Sequence, residues 1–134
     1  MDKKTLKKQA LLGNVQAQHE LGQYYADNKK MKKAVIWWQK AAEQNHDEAK
    51  FDLATCYHAG LGVAQDFRKG VELLKQVAEK GNHEAQFALA TCYYNGDSGE
   101  KDTEKGKELL IKSAKQGNED AAEMLERVEG IRLE

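Results

Sequence analysis

The two cysteines are the strongest nucleophiles that this sequence offers. Cys56 and Cys92 occupy equivalent places in two similar segments, and a tyrosine follows each of them. Helices that pack side by side lie about 8–10 Å apart, which exceeds the Cα–Cα distance of about 7 Å that a disulfide can bridge. We therefore expect two buried, apolar thiols rather than a disulfide, a redox pair or a metal site.

The four histidines do not form a metal-binding pattern. No two of them are three or four residues apart, and no group of Cys and His residues has the spacing of a zinc site. His46 and His83 each follow an asparagine, where we expect a turn or a helix-capping role. The sequence predicts neither a bound metal nor a cofactor.

Other motifs that could support catalysis are incomplete. Gly60 and Gly62 begin a glycine pattern, but Gln65 stands where a dinucleotide-binding loop has its third glycine, and no strand precedes them. The two serines, Ser98 and Ser113, lack the surroundings of a catalytic nucleophile, and we expect Ser113 to be packed inside. The sequence therefore predicts no catalytic residue and no enzyme.

Composition indicates a soluble helical protein. The chain has 134 residues, with 21 Lys+Arg against 22 Asp+Glu, 40% hydrophobic residues and no proline. This charge balance provides no net attraction to nucleic acid, and no apolar stretch is long enough for a membrane helix. The first residues lack the apolar segment of a secretory signal. We expect a cytoplasmic protein that binds neither nucleic acid nor membrane.

Two lysine clusters could form one basic patch. They comprise residues 3, 4, 7 and 8, and residues 29, 30, 32 and 33. Because aromatic residues that could stack on bases do not alternate with these lysines, we interpret the clusters as solvated surface.

An internal repeat determines which elements position all these residues. The segment Ala49–Tyr57 recurs as Ala85–Tyr93, 36 residues later, and weaker copies begin at Ala17 and Ala121. A second block recurs at residues 33–45, 69–81 and 105–117. The pattern predicts one domain over residues 1–134. Its full repeats are 14–45, 46–81 and 82–117, and its partial repeats are 1–13 and 118–134.

Each repeat has the apolar periodicity of two helices. We predict helices at 3–11, 14–26, 30–44, 46–58, 66–80, 83–95, 102–116 and 119–129. Gly81 and Gly117 follow second helices, where a left-handed cap is expected. The predicted core consists of Leu21, Leu53, Leu89, Trp37, Leu74 and Leu110.

These motifs resemble the Sel1-like repeat family, which belongs to the tetratricopeptide-like α/α solenoids. The second repeat matches the family pattern at Ala49, Leu53, Tyr57, Gly60, Gly62, Val63, Asp66, Lys69, Ala78 and Gly81. Two departures recur: Ala54 and Ala90 replace a glycine of the first helix, and Gly70 and Gly106 replace an alanine of the second. The resemblance implies an all-α, right-handed superhelical solenoid of about three repeats with half repeats at both ends.

The resemblance also implies a function. Most members are adaptors or scaffolds that hold other proteins on a concave groove, and some bacterial members resemble immunity proteins that neutralise one toxin. A cysteine-rich subgroup is linked to β-lactam hydrolysis, but its paired cysteines correspond to Ala42 and Lys50 here. We therefore favour a non-enzymatic protein-binding module, with an immunity or antitoxin-like protein as the alternative and a β-lactam-type hydrolase as the least favoured.

By analogy with tetratricopeptide geometry, residues beside the core Leu and Tyr of each first helix face the groove. The predicted binding residues are His19, Gln23, Phe51, Thr55, His58, Phe87, Thr91 and Tyr94. Aromatic, threonine and histidine side chains suit a protein or peptide partner. The alternative is that the two phenylalanines fill the contact between neighbouring first helices. The helices at 3–11 and 119–129 could cap the array or dock onto another copy.

Overall fold

The computed structural model describes residues 1–97, 99 and 101–133. Those residues form helices and connecting turns, without any strand. The eight helices are α1 (Lys3–Leu11), α2 (Val15–Asp27), α3 (Met31–Glu43), α4 (Asp47–Ala59), α5 (Phe67–Glu79), α6 (His83–Asn95), α7 (Thr103–Lys115) and α8 (Glu119–Glu129). Every predicted helix is confirmed, with each boundary within one residue of its prediction. Ser98 lies outside the described residues.

The helices fall into two compact units, Met1–Gly70 and Val71–Glu134, and the boundary lies within α5. In the first unit α1 packs on α2, α2 on α3, and α3 on α4. In the second unit α6 packs on α7, and α7 on α8. Neighbouring helices in the sequence therefore provide the packing in both units, as expected for a helical repeat.

One capping arrangement begins the first helix of every repeat. A side-chain atom of the N-cap residue accepts the backbone N–H three residues later, which satisfies a donor that the helix leaves unpaired. The N-caps of α2, α4, α6 and α8 are Asn14, His46, Asn82 and Asn118. The residue before each cap has a positive φ, and the left-handed conformation predicted for Gly81 and Gly117 is confirmed.

The predicted core is confirmed, since all six of its side chains are buried. Sequence reasoning missed Trp38 in the first unit and Leu125 in the second, which are also buried. Ser113 is fully buried, as expected, and its hydroxyl donates a hydrogen bond of 2.7 Å to the carbonyl of His83. This bond compensates for burying the hydroxyl.

A glycine on one of two packed helices lets them approach closely. In α2, Gly22 lies against the indole of Trp38, and a Cβ at Gly22 would overlap the ring. In α6 the corresponding residue is Ala90, and the glycine is Gly106 on α7, whose Cβ would lie 2.7 Å from the ring of Tyr94. The glycine thus lies on the first helix in one unit and on the second helix in the other. In both units it allows a close contact between these two helices.

Candidate functional site

In the first unit, the predicted binding residues lie on α2 and α4. Gln23 and Thr55 are exposed, Phe51 and His58 are half-buried, and His19 is buried. The hydroxyl of Thr55 donates to the carbonyl of Phe51 at 3.2 Å, so its hydrogen bond is satisfied within its own helix. The unit thus presents two half-buried aromatic rings and two exposed polar side chains from this set.

His19 connects α2 to α4. Its Nε2 lies 2.8 Å from Oδ2 of Asp52, and its Nδ1 lies 3.9 Å from Oε2 of Glu48. The imidazole also stacks on His46, with ring centroids 4.7 Å apart. Only 11% of its side chain is exposed. These contacts give His19 a structural role between two first helices, which leaves little of the ring for a partner.

The two stacked histidines have opposite pKa shifts. The hydrogen bond to Asp52 raises the pKa of His19 above its ordinary value of 6.5, although burial opposes this shift. Burial lowers the pKa of His46 below 6.5, and the nearby charge of His19 lowers it further. The Nδ1 of His46 also accepts the N–H of Ala49 at 3.1 Å, which an imidazole nitrogen can do only when unprotonated.

These shifts affect stability in opposite directions. Because the folded-state pKa of His19 is raised, its stabilisation is complete below pH 6.5 and is lost as the pH rises through that folded-state pKa. Because the folded-state pKa of His46 is lowered, its neutral form stabilises the fold above pH 6.5, and this contribution is lost as the pH falls through that pKa. The pair therefore favours maximum stability between the lowered pKa of His46 and the raised pKa of His19.

In the second unit, the predicted residues on α6 pack towards α8. The rings of Phe87 and Tyr94 are half-buried against a core cluster that includes Leu125. The hydroxyl of Thr91 donates to the carbonyl of Phe87 at 3.1 Å. The hydroxyl of Tyr94 donates to Oε1 of Glu129 at 2.9 Å. Burial, followed by this carboxylate, raises the pKa of Tyr94 to about 12. Both rings thus fill a contact between first helices, which was the alternative role considered for phenylalanine.

A surface cavity lies on the opposite side of α6, within the second unit. Its volume is about 560 Å³, and Leu89 and Tyr93 contribute apolar surface to it. Charged residues of α5 and α7 also line it: Lys75, Glu79, Lys105, Glu108 and Lys112. None of the predicted binding residues lines this cavity. The lysines that line this cavity have the sequence spacing of ordinary solvated residues. The cavity therefore could not be predicted from the sequence.

Both cysteines are free and buried, as the sequence predicted. Burial raises the pKa of Cys56 to about 11, and Asp52 contributes to this shift. Burial likewise raises the pKa of Cys92 to about 11, with Asp97 as the second cause. Each thiol is therefore protonated at neutral pH, and a protonated thiol is a poor nucleophile.

Among the described residues, no helix is both long and apolar enough to cross a membrane.

Comparison with known proteins identifies the repeats. The Sel1 repeat family model matches residues 15–46, 47–82 and 83–118. A Sel1 repeat protein from Oxalobacter formigenes has a similar structure, with a TM-score of 0.87 and 27% identity over 93% of this chain. The antigen c5321 of uropathogenic Escherichia coli, which has an SLR fold, gives a TM-score of 0.71 and 25% identity over 95% of this chain.

A third structure, cysteine rich protein B of Helicobacter pylori, is similar in fold, with a TM-score of 0.70 and 24% identity over 93% of this chain. This chain spans 98% of that protein, but only 53% of the Oxalobacter structure and 36% of the Escherichia structure. The curated proteins provide no significant match. The three matched repeats cover most of the sequence, and the all-α solenoid class predicted from it is confirmed: this chain belongs to the Sel1 repeat family.

Proposed function

We propose that this protein is a non-enzymatic interaction module that binds a protein or peptide on the surface of its first helices. The observation that carries the proposal is the set of three Sel1 repeats, because proteins with this repeat are generally protein-interaction modules. Repeat proteins bind partners through extended surfaces that a regular core holds in place. The partner, on this proposal, is recognised by surface shape and side-chain chemistry rather than by a reaction.

The first unit supports this proposal with a surface on α2 and α4. Phe51 and His58 are half-buried there, and Gln23 and Thr55 are exposed. Partly covered aromatic side chains with polar neighbours are typical of the residues that dominate binding energy at interfaces. We name these four residues the first-helix surface.

The second unit contributes the exposed parts of Phe87, Thr91 and Tyr94 to the proposed binding residues. Because the two rings also pack against the core cluster, their replacement would lower stability as well as binding. Substitutions at the exposed residues of the first-helix surface are therefore the cleaner test.

Several features support a non-enzymatic and cytoplasmic assignment. Two free cysteines suit a reducing compartment, and their raised pKa values oppose nucleophilic catalysis. The positions that carry paired cysteines in the β-lactam-linked subgroup hold packed residues here. Ala42 is buried, and the buried Lys50 donates its ammonium hydrogen bond to Asn45 at 3.1 Å.

The proposal can be tested with arginine substitutions that block the first-helix surface. Gln23→Arg with Thr55→Arg changes two exposed side chains, and Gln76→Arg changes an exposed residue of α5 as the matched control. Affinity capture from the native lysate should enrich a protein with the wild type and the control, and should lose it with the double variant. The partner's identity and affinity would then distinguish an adaptor from an immunity protein.

Circular dichroism must show that the double variant is folded. Equal capture by the double variant and the wild type would contradict the proposed surface. If no protein is enriched by any form of the chain, the interaction-module proposal itself fails.

A further inference from the structure

We propose that the first unit binds an acidic protein segment that also carries apolar side chains, and that this segment lies across helices α1, α2 and α3. This binding goes beyond the proposed function, because it uses residues outside the first-helix surface. Equivalent residues of the two units support it.

The cavity of the second unit has an equivalent set of residues in the first unit. The repeat pattern aligns α1, α2 and α3 with α5, α6 and α7. Eight of the eleven residues that line the cavity recur unchanged at the equivalent positions, and they include all three of its lysines. Lys75, Lys105 and Lys112 correspond in turn to Lys7, Lys33 and Lys40.

The same hydrogen bonds hold the three helices together in both units. Gln18 in α2 donates to the carbonyl of Ala10 in α1 at 3.1 Å, and Gln44 at the end of α3 donates to Oε1 of Gln18 at 2.8 Å. Gln86 makes the equivalent two bonds in the second unit, at 3.4 and 2.8 Å. The two sets of residues therefore have the same framework.

The two sets differ in charge. The second unit balances its three lysines with three carboxylates. Glu79 and Glu108 line the cavity, and Oδ2 of Asp102 lies 3.9 Å from Nζ of Lys105. The counterparts of these three acidic residues in the first unit are Leu11, Ile36 and Lys30. The first unit thus replaces every carboxylate of the set with an aliphatic or a basic side chain.

Lysines from two helices meet over one tyrosine of the first unit. The Nζ atoms of Lys3 in α1 and Lys33 in α3 each lie 5.5 Å from the centre of the Tyr25 ring. The two lysine clusters of the sequence therefore contribute to one surface, whose positive field attracts an acidic partner. We name the following residues the lysine surface: Lys3, Lys7, Leu11, Lys30, Lys33, Ile36 and Lys40.

Two aliphatic side chains give the lysine surface an apolar component. Ile36 is 55% exposed, although its helix α3 packs against both α2 and α4. It comes three residues after Lys33 and four before Lys40, so the three side chains share one face of α3. Leu11 is 67% exposed on α1. A matching ligand needs carboxylates for the lysines and apolar groups between them.

An acidic protein segment meets these needs better than nucleic acid or a membrane. Tyr25 and Trp37 are only 4% and 9% exposed, so bases cannot stack on their rings. Membrane binding requires apolar residues on a face of their own, whereas Ile36 lies between two lysines. A chain that combines glutamate or aspartate with leucine supplies both kinds of contact.

Fluorescence anisotropy with the full chain tests this inference. The probe is a fluorescent peptide of Glu-Glu-Leu repeats, about 12 residues long, which can extend over about 40 Å. In about 50 mM salt one peptide should bind per chain, and about 500 mM salt should weaken binding by about tenfold or more, because salt screens exposed ion pairs. Glutamine in place of glutamate, or serine in place of leucine, should each weaken binding by about fivefold or more.

An exchange of residues between the units identifies the surface. Leu11→Glu with Ile36→Glu gives the first unit the carboxylates of the second and should weaken binding by about tenfold or more. The matched control, Gln23→Glu with Thr55→Glu, adds the same charge at exposed residues of the first-helix surface and should bind like the wild type. Circular dichroism must show that both variants are folded.

Two further variants keep the test independent of that exchange. Lys33→Gln with Lys40→Gln changes two exposed lysines and should also weaken binding by about tenfold or more. The reverse exchange, Glu79→Leu with Glu108→Ile, should let the second unit bind a second peptide. A reverse variant that still binds only one peptide would contradict the role of these two positions.

The inference is overturned if the wild type binds no Glu-Glu-Leu peptide. Equal weakening by the control and the exchange variant would also contradict it, because net charge rather than the lysine surface would then govern binding. If the wild type instead binds phosphatidylserine vesicles or an oligonucleotide of about 20 nucleotides, the inference is wrong. Loss of partner capture through Gln23 and Thr55 concerns only the first-helix surface, so the two proposals fail separately.

Discussion

Replacing Gly22 by alanine should destabilise the first unit, although alanine is the better helix former. Helix propensity alone would stabilise α2 by about 1 kcal/mol. The added methyl group, however, would overlap the indole of Trp38, which is 5% exposed and donates a hydrogen bond of 3.2 Å to the carbonyl of His19. Overpacking costs about 1–3 kcal/mol, and the overlap with a buried, hydrogen-bonded ring places this change at the upper end of that range, at about 2–3 kcal/mol. We expect a net loss of about 1–2 kcal/mol, once the propensity gain is subtracted.

The other repeats provide the matched control for this change. They have leucine at the place of Trp38, at Leu74 and Leu110, together with alanine at the place of Gly22. In a Trp38→Leu background, Gly22→Ala should therefore be neutral or stabilising. The double-mutant cycle should give a favourable coupling of at least about 1 kcal/mol.

Urea unfolding followed by far-UV circular dichroism measures these differences. In thermal unfolding, a loss of 1–2 kcal/mol corresponds to a decrease in Tm of about 3–8 °C for a chain of this size. The reasoning is refuted if Gly22→Ala alone melts at or above the wild type. It is also refuted if the substitution costs the same free energy in both backgrounds, because the indole would then not be the cause.

Three further predictions concern titratable groups. Asparagine is the N-cap residue of the other first helices, so His46→Asn should keep the cap and reduce the loss of stability below pH 6.5. This prediction is contradicted if the free energy of unfolding of the variant falls below pH 6.5 as much as that of the wild type. His19→Gln should remove the loss above pH 6.5 and cost about 1–3 kcal/mol near pH 6, with urea midpoints across the pH range as the readout. A reductant should leave Tm unchanged, because both cysteines are free. A thiol reagent should label the buried Cys56 and Cys92 only as fast as the protein unfolds. Rapid labelling of the native protein would contradict this prediction, because it would show that the thiols are accessible.

The helices could be predicted from the sequence because their determinants are local. Apolar residues recur with helical spacing, and a residue with positive φ followed by an N-cap marks the start of each first helix. The buried leucines followed from the same spacing. Even the unusual cap His46 lies where the repeat pattern indicated a turn or cap.

The contacts of the proposed binding residues could not be predicted, because their partners are distant in the sequence. His19 bonds to Asp52, 33 residues away, and Tyr94 bonds to Glu129, 35 residues away. Both pairs join first helices of successive repeats, and only the packing of those helices brings them together. The cavity beside Leu89 depends in the same way on three helices, so no single segment indicates it.

The central claim, that the first-helix surface binds a protein, is tested most directly by photo-crosslinking in the native cell. A photoreactive phenylalanine analogue would replace Thr55 on the first-helix surface or, as the control, Gln76 on α5; both positions are exposed. Our account predicts that position 55 yields a discrete crosslinked protein that position 76 does not. The account would be contradicted if the two positions gave the same products, or if only position 76 captured a partner.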